Sequence, residues 1–173
     1  MIIMARDRSY GELLEGLSGR AVAVWTCNTC ARLCRGMGGR EAAEALAARL
    51  SEDGADVRCT VSSSACCLMS KALSMAESVP GDATVLALCC DMGARNAAAA
   101  TGLPVVNPVV TFGPGYLDAD GNPRVASVVC GTTVVDEPLE EAAARSGCHA
   151  GPFRRPVARV SIGRRLRLYR GPC

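Results

Sequence analysis

Between residues 21 and 107, short apolar runs alternate with stretches of helical periodicity, and this alternation constrains the fold more than any other feature of the chain. The runs "AVAVW" (21–25), "DVRCTV" (56–61), "ATVLALC" (83–89) and the segment from Pro104 to Asn107 read as buried strands. Glu41 to Leu50 places Ala43, Leu46, Ala47 and Leu50 on one helical face, and Cys66 to Ser78 and Met92 to Ala100 read as two further helices. Ser62, Ser63 and Ser64 are expected to cap the first of these two, and Thr101-Gly102 ends the second. A short helix from Ser9 to Leu17, with Tyr10, Leu13, Leu14 and Leu17 on one face, precedes the first strand. The order βαβαβαβ predicts an α/β fold, a three-layer arrangement in which helices cover a parallel sheet.

After Phe112 the pattern changes. "GPGYLDADGNPRVASVV" reads as an extended segment, a turn and a return strand, Glu137 to Arg145 as a last helix, and "PVARVSIGRRLRLYRG" as a hairpin around Gly163. With 173 residues and 49% apolar content, one domain with a real core is expected, an α/β cysteine-rich core over 20–112 and a β-rich, basic extension over 113–173. The start of the chain lacks the apolar segment of a secretory signal, and no run of about 18 apolar residues occurs, so a cytoplasmic protein without membrane contact is expected.

The chain has 11 cysteines, which in a reducing compartment point to metal or thiol chemistry rather than disulfides. In an open parallel sheet the strand-to-helix loops gather at the carboxyl edge. Cys27, Cys30 and Cys34 follow the first strand with C-x2-C-x3-C spacing, Cys66 and Cys67 follow the second, and Cys89 and Cys90 close the third. Three loops therefore deliver thiols to one edge. Cys59, inside the second strand, reads as a small core residue. Thiolates favour soft metals, and a site usually takes four of them. Cys27, Cys30 and Cys34 with a fourth sulfur from Cys66, Cys67 or Cys90 suit a [4Fe–4S] cluster, and a zinc ion suits the same donors.

Other chemistries are weaker fits. A thioredoxin-like dithiol at Cys27 and Cys30 leaves the remaining thiols unused. Cys34 to Arg40 satisfies C-x5-R, the anion-cradling loop of cysteine phosphatases, with Cys34 as nucleophile, Arg40 as phosphate clamp and Asp118 or Asp120 as general acid. That scheme leaves Cys27, Cys30 and Cys90 without a part, and Cys34 stands far from its strand. His149, the single histidine, reads as a surface residue, and "DADG" as a plain turn. "GMGGRE" lacks a dinucleotide fingerprint. Aromatic residues make up 3% of the chain, too few to stack single-stranded nucleic acid, so Arg154, Arg155, Arg159, Arg164, Arg165, Arg167 and Arg170 suggest either a docking face for a protein or a solvated strand face.

The segments "TCNTCARLCRGMGGREAAEALAARL", "VLALCCDMGARNAAA" and "LPVVNPVVTFGPG" resemble the cysteine-rich domain associated with methylenetetrahydrofolate reductase, the MetV family. The first matches at Cys27, Cys30, Cys34, Gly38 and Gly39, the second at Leu88, Cys90 and Gly93, and the third at Pro108, Thr111, Phe112 and Gly113. The resemblance covers about residues 22 to 116. It implies an iron–sulfur subunit, itself without catalysis, that serves a flavin- and folate-binding reductase of one-carbon metabolism. Asn28 and Asp91 stand where the family has glycine. A second cysteine-rich segment near the family's C-terminus is reduced here to "RGPC" with Cys130 and Cys148 ahead of it.

Overall fold

The computed structural model describes residues 1–129, 132–154, 159–162 and 165–168, with side chains up to 126 and from 135 to 154. Its elements in chain order are β1 (Ile2–Arg6), α1 (Tyr10–Leu17), β2 (Ala21–Cys27), α2 (Cys30–Leu33), α3 (Arg40–Glu52), β3 (Asp56–Ser63), α4 (Met69–Ala76), β4 (Thr84–Leu88) and α5 (Asp91–Thr101). There follow β5 (Val105–Val106), β6 (Val109–Leu117), β7 (Pro123–Val129), β8 (Thr132–Pro138), α6 (Leu139–Arg145), β9 (Arg159–Ile162) and β10 (Arg165–Leu168).

The expected α/β architecture is present. Strands β3, β2, β4 and β5 form a parallel sheet in that order. Alternate side chains of β2 divide the core, as strand geometry requires. Val22 and Val24 pack with Leu46 and Leu50 of α3 and Leu13 and Leu17 of α1. Trp25 and Cys27 pack on the other face with Ala72 and Met75 of α4 and Ala94 and Ala97 of α5. The chain thus leaves β2 on one side to reach β3 and crosses to the other side to reach β4. The carboxyl ends of β2 and β4 therefore flank a topological switch point, the crevice where open α/β sheets hold their ligands.

Local signals account for two of the helix ends. Ser9 closes a capping box with Glu12 at the start of α1. Gly102, at φ 68°, ends α5 in the left-handed conformation. The start of α4 differs from expectation. Pairing of β3 with β2 runs on to Ser63 opposite Cys27, so Ser62 and Ser63 serve the strand, and α4 begins only at Met69 after an uncapped Leu68.

A second, antiparallel sheet has the order β1-β6-β7-β8 and carries α6, whose Leu139, Ala142 and Ala143 are buried. Neither β1 nor β8 is apparent in the sequence. Ile3, Met4 and Ala5 are consecutive and all buried, so β1 shows no alternation to read. The boundary expected after residue 112 falls inside β6, which extends from the parallel layer's last connection into the antiparallel sheet. Strands β9 and β10 pair antiparallel. Cys130, Gly163, Cys173 and the side chains of Arg155 to Arg170 lie outside the described residues. Among the described residues no helix is long and apolar enough to cross a membrane.

Candidate metal centre

Cys27 is the last residue of β2, Cys30 the first of α2, and Cys34 its C-cap, its N–H donating to the Cys30 carbonyl at 2.9 Å. The loop is held from below by Thr26. Its hydroxyl donates to the Leu88 carbonyl of β4 at 3.2 Å and accepts from the Gly39 N–H at 2.8 Å. Gly38 fits between them because it lacks a side chain: a Cβ there would lie 2.6 Å from the Leu88 oxygen and 2.7 Å from the Thr26 hydroxyl. From the second loop, Cys66 is buried and Cys67 exposed. From the third, Cys89 is buried and Cys90 is the N-cap residue of α5.

Thiols of different loops lie near one another, and Cys66 touches two of them. Cys66 adjoins Cys27 and Cys89, and Cys90 has Cys27, Cys67 and Cys30 around it. Cys34 stands beside Cys30. Strand β1 borders this last pair: the Ile2 N–H donates to the Cys30 sulfur at 3.4 Å, and the Cys34 thiol donates to the Ile2 carbonyl at 3.5 Å. The six cysteines expected at the site therefore lie on three loops of this one edge. Cys89, which the sequence placed at the edge without a role, is drawn in by its contact with Cys66. Cys59 is apart from them in β3 opposite Ala23, and it is half-buried rather than a core residue.

Ionisation is disfavoured at Cys27, Cys34, Cys66 and Cys90. Contact with Cys66 and then burial push the Cys27 thiol up. Cys27 pulls the Cys66 thiol down, but Cys89 and burial outweigh it and the value rises. Burial raises Cys34 to about 11 and also raises Cys90. Thiolates in such a place need a cation beside them. Among the described residues no three ligand-type side chains stand as they would around a single bound ion. The donor set nevertheless suits a soft metal in its chemistry, since it is composed of sulfur, is largely shielded from water and offers more than four thiols.

The phosphatase arrangement is not what the loop forms. An anion cradle needs free backbone N–H groups. Here those of Arg35, Gly36, Met37 and Gly38 go to the carbonyls of Leu33, Arg32, Cys34 and Ala31. Those of Gly39 and Arg40 go to the side chains of Thr26 and Asn28. Asp118 accepts from the N–H groups of Asn122 and Asp120, and the Asn122 bond foremost holds its carboxyl below the usual range, the wrong direction for a general acid. "DADG" is the turn between β6 and β7. His149 pairs its backbone with Arg6.

The three segments that carry the family resemblance converge on this edge. Thr26 ties the first to the second through Leu88, and Thr111 of the third accepts the Asp91 N–H at 3.0 Å, at the start of α5. Asn107 donates to the Asp91 carboxylate at 3.2 Å. Beside the thiols, Leu68, Met69 and Leu73 of the α4 segment and Met92 in the first turn of α5 are exposed large apolar side chains. Comparison with models of protein families, with curated proteins and with solved structures finds no match.

Proposed function

We propose that the chain binds a [4Fe–4S] cluster at the carboxyl edge of its parallel sheet and serves as an accessory electron-transfer subunit for a flavoprotein similar to methylenetetrahydrofolate reductase. The observation that carries this reading is the convergence of the three loops bearing Cys27, Cys30, Cys34, Cys66, Cys67 and Cys90 on the switch point between β2 and β4. A bound cluster supplies one-electron transfer. The chain's own part is to hold and shield it. Cys27, Cys30 and Cys34 furnish three sulfurs from one loop fixed by Thr26, and a fourth comes from a neighbouring loop. The Ile2 N–H directed at Cys30 is a donor of the kind that tunes metal-bound sulfur.

The partner follows from the same chemistry together with the resemblance. A cluster subunit needs a second protein within electron-transfer reach, and Leu68, Met69, Leu73 and Met92 leave apolar surface beside the thiols. The test is anaerobic purification with iron, sulfide and zinc analysis, followed by mixing with a folate-dependent flavoprotein reductase. Iron and sulfide in equal amounts, and flavin reduction that depends on the loaded chain, support the reading. Stoichiometric zinc without sulfide would make the chain a zinc-stabilised interaction module.

A further inference from the structure

Trp25 is the single tryptophan of the chain and is wholly buried. Its indole N–H makes no hydrogen bond of good geometry, and a buried donor of this kind calls for an explanation. The polar atom it faces is the sulfur of Cys66, with which it makes at most a long, weak contact while that thiol is neutral. Both residues belong to the core on the α4 and α5 side of the sheet.

Cys66 is held from two directions. Its thiol donates to the Thr26 carbonyl at 3.2 Å, next along β2 from Trp25, and its own carbonyl accepts from Asn96 Nδ2 of α5 at 3.2 Å. Gly93 lets α5 approach: a Cβ there would lie 3.1 Å from the Cys66 Cβ. A neutral thiol is a weak acceptor, whereas a metal-bound thiolate is negatively charged and accepts N–H donors well. The weak contact of the indole N–H would become a full, charge-assisted hydrogen bond if Cys66 carried metal.

We propose that Cys66 is the ligand furnished by the loop between β3 and α4, and that Trp25 is a positioning residue whose indole N–H donates to the metal-bound thiolate. This rests on the metal reading above and deepens it by choosing Cys66 over its exposed neighbour Cys67. The ligand class is a thiophilic cation, either a cluster or a single soft ion. Loss of such an outer donor typically weakens metal binding by about 10- to 100-fold. In a cluster it also lowers the reduction potential, because the more negative reduced state loses more stabilisation.

The experiment uses reduced, isotope-labelled protein titrated with the NMR-active isotope of cadmium. A lone tryptophan gives one indole N–H resonance. On loading, that resonance is expected to move downfield and to couple to the cadmium nucleus, in step with the thiolate-to-metal charge-transfer band. Cys66→Ser should lose the coupling and Cys67→Ser should keep it. Trp25→Phe should bind cadmium about 10- to 100-fold more weakly. A charge-transfer band with an unmoved indole resonance, and wild-type affinity in Cys66→Ser, would overturn this inference while leaving the metal site in place. No band in the wild type would overturn both. The indole measurement on the wild type decides the matter even if the Trp25 variant does not fold.

Discussion

A methyl group on Gly93 would lie 2.8 Å from the sulfur of Cys89. This glycine of α5 therefore sets how closely the helix passes over the thiols. Gly93→Ala is expected to cost about 1–3 kcal/mol by overpacking and to reduce metal content, because Cys89 and Cys66 must move to admit it. Urea unfolding and metal analysis of the variant check this. Unchanged values of both would show that α5 is free to shift.

Thr26 is the second point of support. Thr26→Val keeps the shape of the side chain but leaves the buried Gly39 N–H without its acceptor, and a loss of about 1–3 kcal/mol is expected. Thr26→Ser should recover most of it. Equal midpoints for the threonine and valine proteins in urea would mean that the cysteine loop is held by other contacts.

Serine substitution separates the thiols by place. Cys27→Ser, Cys30→Ser and Cys34→Ser should each abolish or strongly reduce metal content, and Cys66→Ser, the proposed fourth ligand, should resemble them. Cys59→Ser should retain the wild-type amount, since Cys59 lies away in β3. Iron analysis after anaerobic reconstitution reads all five proteins.

The raised thiols give the metal-free protein a pH dependence of definite sign. An unfolded thiol ionises near 8.5, whereas Cys34 in the folded chain does so at about 11. The folded state retains protons that the unfolded state releases. The contribution is therefore full below about pH 8.5 and is lost as pH rises toward the folded value. Unfolding in reductant should show a plateau at neutral pH and declining stability through the alkaline range. Metal affinity should move the other way, rising with pH, because each ligand gives up a proton on binding.

Much of the parallel layer was legible because Val22, Val24, Leu46, Leu50 and Leu86 carry clear strand and helix periods, and the cysteines could then be placed by topology alone. What escaped depends on long-range packing. Strand β1 is buried on both faces and shows no alternation, yet it borders Cys30 and Cys34. Ser62 and Ser63 have good capping chemistry, but ladder pairing with β2 takes their place in the chain. The sequence places Cys89 at the edge but gives it no role, and Trp25 reads only as part of a buried strand, since neither spacing nor composition marks which buried side chains meet a thiol. Pro108, Thr111 and Phe112 were visible as a motif, but the bond from the Asp91 N–H to Thr111 is a tertiary fact.

The most direct measurement is the electron paramagnetic resonance spectrum of anaerobically reconstituted, dithionite-reduced protein, with iron and sulfide determined on the same sample. The expected result is the signal of a reduced [4Fe–4S] cluster with about four irons and four sulfides per chain, lost in Cys27→Ser. A wild-type chain that remains colourless and retains neither iron nor sulfide after reconstitution would contradict the proposed function.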